Sequence, residues 1–89
     1  MQEIHIYVSG LVQGVGFRAI VKRHAVLYNI KGFVRNLGDG RVEICAQGKG
    51  EQINNFIHMI QSRPGNGAVE GIETKYRPMQ EAFETFEVR

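Results

Sequence analysis

Residues 4–28 read IHIYVSGLVQGVGFRAIVKRHAVLY, and the hydrophobic period changes once within them. Over 4–8 the apolar positions alternate. Ile4, Ile6 and Val8 share one face and His5 and Tyr7 the other, which predicts a half-buried strand. From Phe17 the spacing lengthens, so that Phe17, Val21, Ala25 and Tyr28 fall along one side of a helix. Asn29 stands where a left-handed cap residue belongs. Val26 and Leu27 lie off that stripe and are expected at the surface. Between strand and helix runs GLVQGVGFR, 10–18, with three glycines and a closing arginine.

The same reading carries along the chain. IKGFVRN (30–36) and RVEICAQ (41–47) flank an Asp39-Gly40 pair, the signature of a hairpin. Val42, Ile44 and Ala46 alternate with Glu43, Cys45 and Gln47, which makes Cys45 an expected partly exposed free thiol. The segment 51–63 is a helix by its Ile53, Phe56, Ile57 and Ile60 spacing, stopped at Pro64-Gly65. GNG at 65–67 is a loop, AVEGIETKY (68–76) a fourth strand and FETFEV (83–88) a short fifth. The order β-α-β-β-α-β with a short fifth strand predicts an α+β, ferredoxin-like split βαβ sandwich. Its sheet is antiparallel-rich with both helices on one face, and it forms a single domain over 1–89.

This topology has a consequence for function. One helical crossover joins the first two strands, so they run parallel and end on the same edge of the sheet. The first helix begins at that edge. Loop 10–17, Arg18 and Asn36 should therefore meet in space. Tyr7 and Phe33 are expected as an aromatic pair on adjacent strands of the open face.

Composition narrows the classes. A chain of 89 residues, 43% hydrophobic, is long enough for one small core. With a single cysteine it can form no internal disulfide and no cysteine-rich metal site, and a reducing compartment suits it. No apolar run approaches a membrane span, and no basic-then-apolar segment opens the sequence. The expectation is a cytoplasmic monomer. The formal charge of +2 is too small to argue for nucleic acid. Six basic residues (Arg18, Lys22, Arg23, Lys31, Arg35, Arg41) nonetheless fall between 18 and 41. They read either as a solvated face or as a positive field around an anion site.

A strand, a glycine-rich loop and a helix N-terminus together can bind an anion through converging N–H groups and the helix dipole. Arg18 would add a forked pair of charged donors. The same three glycines also suit a plain tight turn. The P-loop string is absent, and GVGFRA has Ala19 where a dinucleotide fingerprint needs its third glycine.

VSGLVQGVGFR (8–18) followed by GFVRNLGDGRVE (32–43) resembles the acylphosphatase family, whose pattern is close to G-x-V-Q-G-V-G-F-R and then G-[WFY]-V-x-N-x-x-D-G-x-V-E. The resemblance extends over essentially the whole chain, through Ala68-Val69 and the Phe86–Val88 ending. It implies hydrolysis of small-molecule acyl phosphates to a carboxylate and inorganic phosphate, with no metal and no cofactor. It assigns catalysis to Arg18 and Asn36 and phosphate binding to Gln13, Gly14, Val15, Gly16, Phe17 and Arg18. Leu37 departs from the family by following Asn36 where some members carry a small hydroxyl residue. Asn29 replaces a usual glycine, and RPGNG a usual Gly-Pro turn.

Other residues fit blander roles. His5, His24 and His58 offer no pair at ligand spacing within one element, so no metal site is expected. Asp39 reads as the turn residue before Gly40. An RNA-recognition module would place aromatics on an open sheet face, yet its K/R-G-F/Y-G/A-F-V-x-F/Y string is missing. A regulatory ligand-binding module that keeps the anion loop without turnover is the third class.

Overall fold

The computed structural model describes residues 1–89. The elements are β1 (Gln2–Leu11), α1 (Phe17–Leu27), β2 (Lys31–Asn36), β3 (Val42–Gly48), α2 (Gly50–Ser62), β4 (Ala68–Arg77) and β5 (Phe86–Val88). They form one five-stranded sheet in the order β4-β1-β3-β2-β5. β3 is antiparallel to both β1 and β2, so β1 and β2 run parallel with β3 between them. β5 joins β2 in parallel at the outer edge. This is the ferredoxin-like sandwich expected from the order of elements.

Alternation decides the two faces. Ile4, Ile6, Val8, Val34, Val42, Ile44 and Ala46 point to one side, where α1 contributes Phe17, Val21 and Ala25 and α2 contributes Ile53, Phe56 and Ile60. Sixteen residues make up this core, and Phe56 meets Phe86 edge-on at 6.2 Å. α1 ends as its sequence predicts: Tyr28 caps the last turn and Asn29 takes a left-handed φ of 57°. Val26 and Leu27 are exposed.

The other face differs from expectation in two respects. Tyr7 and Phe33 are not on adjacent strands. Their strands flank β3, where Tyr7 lies opposite Glu43 and Phe33 opposite Cys45. Phe33 instead packs edge-on against Phe83, at 5.8 Å. Cys45 is not partly exposed: only 2% of it reaches solvent. The cause is the chain after β4, which crosses this face on its way from one sheet edge to β5 at the other. Gln47, fully buried, ties the crossing segment down by donating to the Glu81 carbonyl (2.7 Å) and accepting from Phe83 N–H (2.9 Å). The Arg89 guanidinium covers Phe33 at 4.2 Å from the ring centre. An open aromatic platform of the RNA-recognition kind is therefore covered here.

Burial, then the neighbouring Glu3 and Glu43 carboxylates, push the Cys45 thiol up to about 12. The thiolate is the reactive form, so a raised pKa and burial both slow alkylation. Iodoacetamide at mildly alkaline pH should label native Cys45 at least about 100-fold more slowly than the urea-unfolded chain. Equal rates would mean that the 78–85 segment does not shield the thiol.

Candidate active site

Two local features shape the edge where β1 and β2 end. The register of β1 on β4 shifts between Ser9 and Gly10, and Gly10 there has φ 122°. This bulge turns the chain out of the strand and into the loop. Gly14 and Gly16 follow at φ 76° and 78°, so all three loop glycines have the left-handed backbone that side chains disfavour. Gly16 is the N-cap of α1 and makes no side-chain cap, and no acid lies in the first turn. The leading N–H groups of α1 thus carry a partial positive charge that no side chain offsets.

Strand parity delivers the opposite wall. Val34 points into the core, so Asn36, two residues on, points to the same face but beyond the core's edge. Val42 is flanked by Val8 of β1 on one side and by Asn36 of β2 on the other. The result is a cleft of about 220 Å³ lined by Val12, Gly14, Gly16, Phe17, Arg18, Ala19, Asn36 and Val88. Loop, helix N-terminus, Arg18 and Asn36 do meet there. The volume falls below the roughly 300–1,000 Å³ of pockets for drug-sized ligands, which suits a small anion.

Each expected residue has a definite place. Arg18 Nη1 donates to the backbone oxygen of Arg89 at 2.6 Å, which holds the guanidinium at the cleft. The Asn36 carboxamide is exposed and forms no hydrogen bond within the chain, leaving its donors and acceptor to the cleft. Phe17 is a buried core residue whose backbone begins the helix. Gln13 and Val15 do not line the cleft. Val15 packs against the core, while Gln13 Nε2 donates to the carbonyls of Leu37 (2.8 Å) and Arg41 (2.9 Å), bracing the loop on the β2–β3 turn. Asp39 is the turn residue it was read as: its carboxylate accepts from Arg41 N–H at 3.0 Å and from Arg41 Nε at 2.8 Å. Those two bonds hold its carboxyl below the usual range.

The basic cluster does not converge on this cleft. Arg18 alone lines it. Arg35 pairs with Glu43 on the opposite face, and Arg41 with Asp39 in the turn. The bracing role of Gln13 was not legible from the loop sequence, because its partners lie 24 and 28 residues away.

Fold and cleft define a small ferredoxin-like domain with a glycine-rich loop and an uncapped helix N-terminus at one edge of its sheet. A family model described as Acylphosphatase matches residues 4–88. The acylphosphatase of Archaeoglobus fulgidus is 46% identical over 88 residues, covering 99% of this chain and 98% of that protein. The crystal structure of acylphosphatase from Bacillus subtilis has a TM-score of 0.94 at 32% identity, covering 100% of this chain and 99% of that one. An acylphosphatase structure from Coxiella burnetii has a TM-score of 0.91 at 34% identity, covering 99% and 92%. The chain belongs to the acylphosphatase family and is a hydrolase of that kind.

The Gln13 brace has a measurable cost. Gln13→Ala removes two donated bonds and should lower stability by about 1–2 kcal/mol in urea unfolding. Gln13→Glu should not recover it, since an ionised carboxylate cannot donate to either carbonyl. Full rescue by Gln13→Glu would assign the loop's order to something other than these bonds.

Proposed function

We propose that the chain hydrolyses the carboxyl–phosphate bond of small acyl phosphates, giving a carboxylate and inorganic phosphate without a metal. One observation carries this reading: a charged guanidinium, an uncapped helix N-terminus and a free carboxamide share one small cleft. Gly14, Gly16, Phe17 and Arg18 supply the backbone of the phosphate cradle, Gln13 and Val15 hold the loop behind it, and the Arg18 side chain closes it with two parallel donors. Asn36 holds a water in line with the scissile P–O bond.

The chemistry needs little more. The leaving carboxylate has a conjugate acid near roughly pKa 4, so it departs without a proton and no general acid is required. A loose phosphoryl-transfer transition state asks for placement and for charge stabilisation of the equatorial oxygens. Arg18 and the N–H groups supply the second, from positions fixed before the substrate arrives. Asn36 supplies the first by orienting the attacking water rather than by removing its proton. The residues lining the cleft include no carboxylate, imidazole or thiol, which supports charge neutralisation by the protein's own donors. The single free cysteine supports a cytoplasmic setting, and the small volume of the cleft supports a small-molecule substrate.

Steady-state hydrolysis of benzoyl phosphate in the presence of a chelator tests the reading. Arg18→Ala should lose roughly a thousandfold or more in kcat/KM, together with inhibition by inorganic phosphate. Asn36→Ala should lose mainly kcat and keep phosphate inhibition. Because no cleft group exchanges a proton with substrate, kcat should stay nearly level between about pH 5 and 8. A folded wild type with no turnover above the uncatalysed rate would falsify the proposal.

A further inference from the structure

The largest cleft, about 470 Å³, is not the one just described. It lies on the opposite face of the sheet, beneath the 78–85 segment, with Glu3, His5 and Cys45 in its wall. The metal-ligating atoms of these three side chains all lie within 4.8 Å of one another. Glu3 and His5 are two apart on β1 and so share a face, and Cys45 is the direct β3 partner of His5. The two best-placed atoms, His5 Nε2 and Glu3 Oε2, are 2.9 Å apart.

From this arrangement we infer a binding site for a divalent transition cation of zinc's class, held by Cys45 Sγ, His5 Nε2 and a Glu3 carboxylate oxygen. Thiolate, imidazole and carboxylate are the donors such an ion takes, and three of them with one open position is a familiar protein set. Tetrahedral bond lengths put ligand atoms about 3.3–3.7 Å apart, so the His5–Glu3 pair must open by about 0.4 Å from 2.9 Å while separations of up to 4.8 Å close by about 1 Å. The fourth position opens into the cleft, where Arg77 and the Glu81 region leave room for water or a small anion.

The surroundings are those that orient metal ligands. Gln47 Nε2 donates to Glu3 Oε1 at 2.7 Å, leaving Oε2 for the ion. His5 Nδ1 lies 3.8 Å from a Glu43 oxygen, and Glu43 is itself held by Arg35 at 2.5 Å. In the metal-free chain His5 Nε2 donates to Glu3, so an arriving ion takes the place of that proton, and the ring's remaining N–H at Nδ1 then faces the Glu43 carboxylate. Binding replaces the Cys45 S–H bond by an S–metal bond and releases the proton to solvent. Gln47 also holds the Glu81 carbonyl and the Phe83 amide, so an ion on Glu3 would fasten the crossing segment as well. No residue of this cluster lines the cleft of Arg18 and Asn36, so hydrolysis in chelator is a separate question.

Titration of the reduced full chain with Co²⁺ provides the test. One equivalent should bind with a thiolate-to-cobalt charge-transfer band in the near ultraviolet. Zn²⁺ should displace it and raise the thermal midpoint of unfolding. Cys45→Ser should abolish the band, and His5→Ala should weaken binding about tenfold or more. His58→Ala, on the exposed side of α2, should change neither. Absence of the thiolate band in wild type overturns the site, as does binding that His5→Ala leaves intact. Should Cys45→Ser fail to fold, the wild-type band and His5→Ala decide between them.

Discussion

The register of β3 is the constraint on which the rest depends. Val42 sits between Val8 and Asn36 because β1 and β2 pair with its two edges. A slip of one residue on either side would turn Val8 or Val34 out of the core and bring polar neighbours in. The sixteen-residue core therefore does more than hold the sheet on its helices. Through strand parity it fixes where Asn36 stands relative to the loop that leaves β1 and the helix that follows.

The two faces of the sheet are joined at Arg89. Its backbone oxygen accepts from Arg18 at the cleft, while its guanidinium lies over Phe33 at 4.2 Å and nears Phe83 at 5.7 Å on the other face. Buried Gln47 anchors that face by hydrogen bonds to Glu3, Glu81 and Phe83. A fully satisfied buried amide of this kind specifies one arrangement, because any other leaves donors unpaired at a cost. The crossing segment is thus a structural element in its own right, although it has no regular secondary structure.

Glu3 shows how closely the polar face is organised. Burial works against its charge, but hydrogen bonds from Gln47 and His5 outweigh it and hold the carboxyl below its usual range. Glu43 is likewise buried and paired with Arg35. Burial first, and then these neighbouring charges, keep the proton on Cys45.

Much of this was legible along the chain. The change of period after Gly10, the Asp39-Gly40 turn and the Asn29 cap each report on backbone within a few residues, where propensity and sterics act directly. Connectivity added the parallel run of β1 and β2, and with it the meeting of Arg18 and Asn36. Alternation also names the face a residue points to, but not what covers that face. Cys45 was read as partly exposed for that reason, and Tyr7 and Phe33 as neighbours because strand order is not encoded in alternation. The burial of Cys45, the brace of Gln13 and the grouping of Glu3, His5 and Cys45 all depend on pairings 24 to 42 residues apart. Local spacing determined the elements and the cleft they converge on. Only the tertiary structure, by inserting β3 between β1 and β2 and drawing 78–85 across the sheet, decided what the opposite face holds.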